Sequence, residues 1–318
     1  MRVFVAGGTG ALGQRVVALL AEAGHEVTAT ARSSAGADAV RARGGRPVDV
    51  DVYLRESIRR AIAGHEAVLR LTTKIPPLNQ MRSAASWAET GRLRNQSARL
   101  IVEACRDEGV PLYLHESVAF VYADGGDRWL DEDSPVDVAR AVPLRDALRG
   151  EEQAGRFTAY GGRGIVLRFG GFYAANSAQS LKMAANARRG RLALLGRSRN
   201  YYSSIHLDDA AAATVAALTA DAGTYNAVDE EPVSLGDYLS CLAAAAGARP
   251  LRRVPSLLGP LVLGTTWQYL SRSLRVSGTR LREGVGWKPS VPNAREGWRR
   301  IGEEWARAGV SDLKGSPA

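Results

Sequence analysis

Apolar positions along this chain fall into short runs and helical periods that alternate almost from the first residue. Arg2-Val3-Phe4-Val5-Ala6 is a brief apolar run; Leu12, Val16, Leu19, Leu20 and Ala23 then keep a helical spacing until Gly24, and residues 26–31 resume an extended pattern. The same alternation predicts strands over 47–51, 67–71, 110–115 and 164–169, with helices over 54–63, 93–108 and a stretch ending near 159. Pro76-Pro77 marks a loop, and 116–142 is a long segment rich in Asp and Gly. Past Gly170-Gly171 the pattern loosens into helices over 181–189, 208–218 and 235–246, and the tail from about Ser311 is expected to fray. Strands and helices in this order predict an α/β fold built on a doubly wound parallel sheet.

The first turn carries chemistry. Gly7-Gly8-Thr9-Gly10-Ala11-Leu12-Gly13 follows the opening run with no spacer, giving Gly-x-x-Gly-x-x-Gly between a predicted strand and a predicted helix. One glycine serves the tight turn, one lets a pyrophosphate approach bare backbone, and one lets helix meet sheet. The helix start then offers free N–H groups to an anion. The second strand ends in Thr30-Ala31-Arg32-Ser33, without a carboxylate for ribose hydroxyls and with an arginine able to accept a 2′-phosphate, which favours NADP(H) over NAD(H). Asp51 is placed either to reach the adenine edge or to sit as a solvated turn carboxylate. Candidate cofactor contacts are Gly7, Thr9, Gly10, Ala11, Leu12, Gly13, Arg32, Ser33 and Asp51, with Val52, Leu71, Thr72 and Phe169 at neighbouring strand ends.

Composition narrows the classes. The 318 residues suffice for one large domain or two modest ones, and Lys+Arg 42 against Asp+Glu 33 gives a formal charge of +9. The arginines are scattered along the sequence and no aromatic residues interleave with a basic face, so nucleic acid is not an expected partner and a small-molecule substrate is; an anionic ligand or a composition bias toward Arg and Ala explains the charge more simply. Cys105 and Cys241 suggest no disulfide framework, and the chain shows no signal-peptide pattern, both consistent with a cytoplasmic protein. The apolar stretch 256–270 is broken by Gly259-Pro260 and Gly264 and is too short to span a bilayer, so no membrane partner is expected. It reads as a helical lid or a packing surface, such as a homodimer would use. His25, His65, His115 and His206 show no ligand spacing, so no metal site is expected.

Four stretches together resemble the short-chain dehydrogenase/reductase superfamily in its extended or atypical branch, the NAD-dependent epimerase/dehydratase family. They are the glycine turn at 7–13; Glu116-Ser117 followed by Val121-Tyr122; Leu167-Arg168-Phe169-Gly170-Gly171-Phe172-Tyr173; and Ser204-Ile205-His206-Leu207-Asp208-Asp209-Ala210. Gly286-Trp287-Lys288-Pro289 is a similar ending. The resemblance implies a Rossmann domain over 1–169, rejoined by 204–228, and a smaller C-terminal substrate-binding domain over 170–203 and 229–310, with the cleft between them. It also implies a tyrosine that moves a proton, a lysine one helical turn later that lowers its pKa from about 10, and a serine that holds the substrate oxygen.

Here the chain departs from the pattern. Ser117 stands where the serine belongs, just past the fifth predicted strand, but aligning Glu152 with the family's glutamate puts Leu144 and Leu148 at the tyrosine and lysine positions. The four lysines, Lys74, Lys182, Lys288 and Lys314, are each preceded four residues earlier by a residue other than tyrosine: Arg70, Ala178, Gly284 and Val310. No Tyr-x-x-x-Lys exists anywhere in the chain. Ser117 and Tyr122, the nearest phenol, are the candidate catalytic groups; Tyr173, Tyr202 and His206 are candidate substrate contacts. Three readings follow: an NADP-dependent oxidoreductase or epimerase-like enzyme acting on a small organic substrate; a non-redox isomerase, cyclase or lyase on the same fold; and a dinucleotide-sensing regulator.

Overall fold

A computed structural model describes residues 1–76, 80, 83–138, 142–195, 198–259, 267 and 271–309. Pro77, most of the 256–270 stretch and the tail from 310 lie outside the described residues. The central sheet consists of β1 (Arg2–Ala6), β2 (Glu26–Thr30), β3 (Arg46–Val48), β4 (Ala67–Arg70), β5 (Leu112–Val118), β6 (Arg163–Phe169) and β7 (Gly223–Ala227). Its order is β7-β6-β5-β4-β1-β2-β3, with every pairing parallel. The order reverses between β1 and β4, so a crevice opens at the carboxyl ends of those strands.

Helices cover both faces because the strands are apolar on both. α1 (Ala11–Glu22) buries Leu12, Val16 and Leu20 against Val3, Val5 and Leu69, in a core shared with later helical residues such as Leu207 and Ala210. After α2 (Ser34–Arg41), the opposite face carries α3 (Arg55–Ile62), α4 (Ala98–Asp107) and α5 (Val142–Ala159), with Ile58, Ile101, Cys105 and Phe157 packed on Phe4, Val68 and Tyr113. Each large apolar side chain buried this way contributes about 1.5–3 kcal/mol.

The expected helix over 93–108 begins instead with a π-turn, Leu93–Ser97, and β5 runs to Val118, beyond the predicted end at 115. Ser117 is therefore an in-strand residue paired with Arg168 of β6 rather than a residue past the strand.

Beyond β6 lie α6 (Ala178–Arg188), α7 (Leu207–Ala216), α8 (Leu235–Ala245) and α9 (Ala294–Arg307). A further apolar cluster holds α6, α8 and α9 together through Ala184, Leu239, Leu242, Trp298, Ile301 and Trp305. Short parallel pairs stitch distant segments: Gly171–Tyr173 to Ser204–His206, Ala193–Leu195 to Arg252–Val254, and Trp129–Leu130 to Arg275–Val276. Strands of two or three residues are too short to show a period, so the sequence pattern does not announce them.

Candidate active site

The loop after β1 is a set of close approaches that side chains would block. Gly7 has φ of +98°, and a Cβ there would lie 2.8 Å from Leu71 O; a Cβ on Gly13 would overlap Gly7 O. Gly10 N–H donates to Gly7 O at 3.0 Å, and Gly7 N–H donates to Thr30 Oγ1 at 2.8 Å, so the turn is fixed to both of its neighbours. Gly10 caps α1 without a side chain, which leaves the first-turn N–H groups available to an anion. Thr9, Gly10 and Ala11 are exposed around that helix end; Leu12 and Gly13 are buried and can meet a ligand only through backbone.

The cradle continues into α2. Ser33 Oγ accepts from Gly36 N–H at 3.1 Å, and a Cβ on Gly36 would come within 3.0 Å of Thr9 Cγ2, so the two helix starts are adjacent. Arg32 is exposed at this rim and has no hydrogen bond or ion pair among the described residues. Asp51 Oδ1 accepts from Tyr53 N–H at 2.8 Å, which makes it a turn carboxylate that still faces solvent. Across the crevice Val52 is half-buried, Leu71 is buried, and the Thr72 Oγ1 is a buried atom with no hydrogen-bond partner among the described residues. Phe169 is buried, its ring 5.3 Å from Phe172. A turn that a Cβ would fill, an uncapped helix end and an orphaned hydroxyl at its edge fit a dinucleotide.

The reaction end of the crevice is built differently. Ser117 is fully buried and its Oγ donates to Glu151 Oε1 at 2.5 Å. Arg168 grips the same carboxylate through Nε at 3.0 Å and Nη2 at 2.7 Å, and through Nη1 it donates to the Tyr122 hydroxyl at 2.9 Å. That hydroxyl donates in turn to Asn226 Oδ1 at 2.8 Å. Burial pushes the Tyr122 phenol up to about 12 against the pull of Arg168. Both candidate catalytic hydroxyls, of Ser117 and Tyr122, are thus enclosed links in a network that ties β5, α5 and β6. Glu151 faces this network and Glu152 is exposed. Leu144, Ala147 and Leu148 instead form an apolar wall with Val118, Phe120 and Val121.

The remaining phenols separate sharply. Tyr173 is fully buried and donates to Asp229 Oδ2 at 3.1 Å, with its pKa pushed up mainly by burial. His206 stacks edge-on against Tyr173, with ring centroids 5.4 Å apart, and its Nδ1 accepts from Asp208 N–H at 3.4 Å as the cap of α7. Burial lowers its pKa. It lines a 470 Å³ open cavity with Ala11, Arg15, Asn176 and Asp208, beside the start of α1. The spacing of Tyr202 and His206 produces no ring contact; Tyr202 lies 4.7 Å from Tyr238 and 5.8 Å from Phe120. The Tyr202 hydroxyl has no hydrogen-bond partner among the described residues, and a Cβ on Gly171 would overlap it. The sequence marks Gly170-Gly171 as a joint, and the structure shows the close approach of the Tyr202 ring that Gly171 permits; the neighbouring Phe120 carried no sequence signal.

A phosphate cradle at the switch point of a parallel sheet defines a Rossmann protein for nicotinamide dinucleotides. Residues 7–153 match a family model described as NAD(P)H-binding. A 3-diazoavenalumate denitrifying reductase from a Streptomyces species is 34% identical over 308 residues, spanning 94% of this chain and 100% of the relative. The UDP-glucose 4-epimerase of Thermotoga maritima, solved with UDP-glucose, superposes with a TM-score of 0.77 at 19% identity, covering 97% of this chain and 99% of that one. A human epimerase family protein solved with NADPH gives 0.75 at 21% identity, covering 95% and 99%. The chain belongs to the extended short-chain dehydrogenase/reductase family.

Proposed function

We propose that this chain is an NADPH-dependent reductase that replaces the diazo group of an aromatic substrate with hydrogen. The observation that carries the reading is the apolar wall of Leu144, Ala147 and Leu148 where carbonyl chemistry needs a proton donor. Reduction of a carbonyl leaves an alkoxide at the reacting centre that must be protonated; hydride that displaces dinitrogen from an aryldiazonium leaves no anion at the reacting carbon, and a phenolate oxygen elsewhere on the ring can take its proton from solvent. A reduced nicotinamide held at the glycine turn would supply the hydride and be left oxidised, with a C–H bond formed at the arene carbon, the C–N bond broken and its electron pair leaving with N2. The name of the Streptomyces relative, a denitrifying reductase of a diazo compound, supports the same class of reaction.

In this reading the backbone of Gly10–Gly13 holds the diphosphate, and Arg32 beside the start of α2 takes the 2′-phosphate that selects NADPH. Phe120 and Tyr202 flank the arene, and the Tyr202 hydroxyl donates to a polar substituent on it. Val118, Leu144 and Leu148 keep water from an electrophile that water would otherwise trap. A second reading, carbonyl reduction with Tyr202 as the proton donor, is favoured by its unpartnered hydroxyl alone.

The test is NADPH oxidation and N2 release with an ortho-diazophenol, run beside a panel of ketones. Turnover of the diazo compound with stoichiometric N2, and none of the ketones, is expected. Turnover of ketones that falls by about a hundredfold or more in Tyr202→Phe establishes the second reading instead. Binding of NADPH with turnover of neither class leaves a non-redox enzyme or a sensor and refutes both.

A further inference from the structure

Arginines that lie far apart in the sequence meet in the C-terminal part of the fold. Residues 188–195 and 246–254 run side by side, joined by the parallel pairing of Ala193–Leu195 with Arg252–Val254 and by a hydrogen bond from Arg188 Nε to Ala246 O. Arg189, Arg191, Arg249, Arg252 and Arg253 are all exposed on this ribbon, and none makes an ion pair among the described residues. Neither 188–195 nor 246–258 contains an acidic or an aromatic residue. On α9, by contrast, Arg295, Arg299 and Arg300 are each paired with Asp237, Glu296 or Glu303. These two adjoining segments thus carry five exposed arginines with no ion pair among the described residues.

An apolar tip adjoins the ribbon. Leu257 is 85% exposed, the highest value among the exposed large hydrophobic residues, and Leu258 beside it is 42% exposed. The sequence continues as Gly259-Pro260-Leu261-Val262-Leu263. An exposed leucine next to unpaired arginines matches a surface that presents phosphates outside and hydrocarbon just beneath. The absence of aromatic residues on the ribbon removes the stacking platform that single-stranded nucleic acid uses.

We propose that this face binds the surface of an anionic lipid bilayer, with Arg189, Arg191, Arg249, Arg252 and Arg253 on the headgroup phosphates and Leu257-Leu258 inserted at the acyl boundary. No described helix is long and apolar enough to cross a membrane, so the attachment is peripheral. It would hold the reductase where apolar aromatic substrates partition, independently of which substrate the crevice takes.

Sedimentation of the full chain with vesicles tests it. Binding to phosphatidylglycerol-rich vesicles, little to pure phosphatidylcholine, and weakening as salt rises are expected. Each arginine changed to glutamine should weaken binding about fivefold, and Leu257→Asp should weaken it further at every salt concentration. Unchanged NADPH binding in these variants establishes that they fold. No binding to anionic vesicles overturns the proposal. So does binding that Leu257→Asp leaves intact and that a nucleic-acid duplex or an acidic protein competes away, because the arginines would then serve a soluble polyanion.

Discussion

The two ends of the crevice obey opposite rules. At the glycine turn, the positions that distinguish a dinucleotide site are demanded by geometry: Gly7 is left-handed and presses on Leu71 O, Gly13 presses on Gly7 O, and Gly10 leaves a helix end bare. Where β5 meets α5, the polar positions that the family's proton transfer needs are apolar, and the nearby hydroxyls of Ser117 and Tyr122 are spent on Glu151, Arg168 and Asn226. In the reading proposed above, a chain that keeps the first end and repacks the second retains a hydride source without a proton source. That contrast is what would separate a reductase of diazo compounds from a reductase of ketones.

Four substitutions break or sharpen that contrast. Gly13→Ala sets a Cβ against backbone that cannot yield; it should cost about 3 kcal/mol and abolish NADPH binding, as read by thermal unfolding and by nicotinamide fluorescence. A Gly13→Ala protein that binds NADPH normally would mean the turn is not the cradle. Leu144→Ala, at a site 4% exposed, should destabilise by about 2–4 kcal/mol and let water trap part of the substrate, so that less product forms per diazo compound consumed; an unchanged product yield would remove the wall from water exclusion. Arg32→Glu should weaken NADPH about tenfold to a hundredfold and leave NADH nearly unchanged in the same titration; equal losses would remove Arg32 from cofactor choice. Ser117→Ala removes one donor to a carboxylate that Arg168 still holds, so it should cost about 1 kcal/mol in denaturant titrations with kcat preserved. A large fall in kcat with unaltered stability would return Ser117 to the chemistry.

A fifth expectation concerns pH. Burial pushes the Asp229 carboxyl up to about 8, aided by the Asp209 carboxylate and opposed by the hydroxyls of Ser204 and Tyr173. Unfolded, it would titrate near 4. Between those values the folded chain keeps a proton that the unfolded chain releases, so this group's contribution to stability is greatest below about pH 4 and declines as pH rises to 8. Asp229→Asn should therefore gain in Tm relative to the parent as pH goes from 5 to 8. A constant difference would show that the carboxyl titrates normally.

The dinucleotide half was legible because its signals are local. A glycine spacing, a strand before it and a helix after it are all read within 32 residues, and the sheet follows from the alternation. The reaction half was not, because its contacts are tertiary. Arg168, a charge within the apolar run of β6, hinted at a buried partner, but nothing in the spacing chose Glu151 over Glu152. Nor could it show that β5 runs on through Ser117, turning that hydroxyl toward α5. The arginine ribbon was hidden for the same reason: residues 188–191 and 249–253 are adjacent only after short strands pair.

The most direct test of hydride delivery without a proton donor is single-turnover reduction of an ortho-diazophenol with NADPH deuterated at the transferable position, in ordinary and in heavy water. The account predicts product carrying the nicotinamide's deuterium, release of one N2 per NADPH, and a solvent isotope effect of about 1 that is flat with pH. A solvent isotope effect of about 2 or more, or solvent hydrogen at the former diazo carbon, would contradict it.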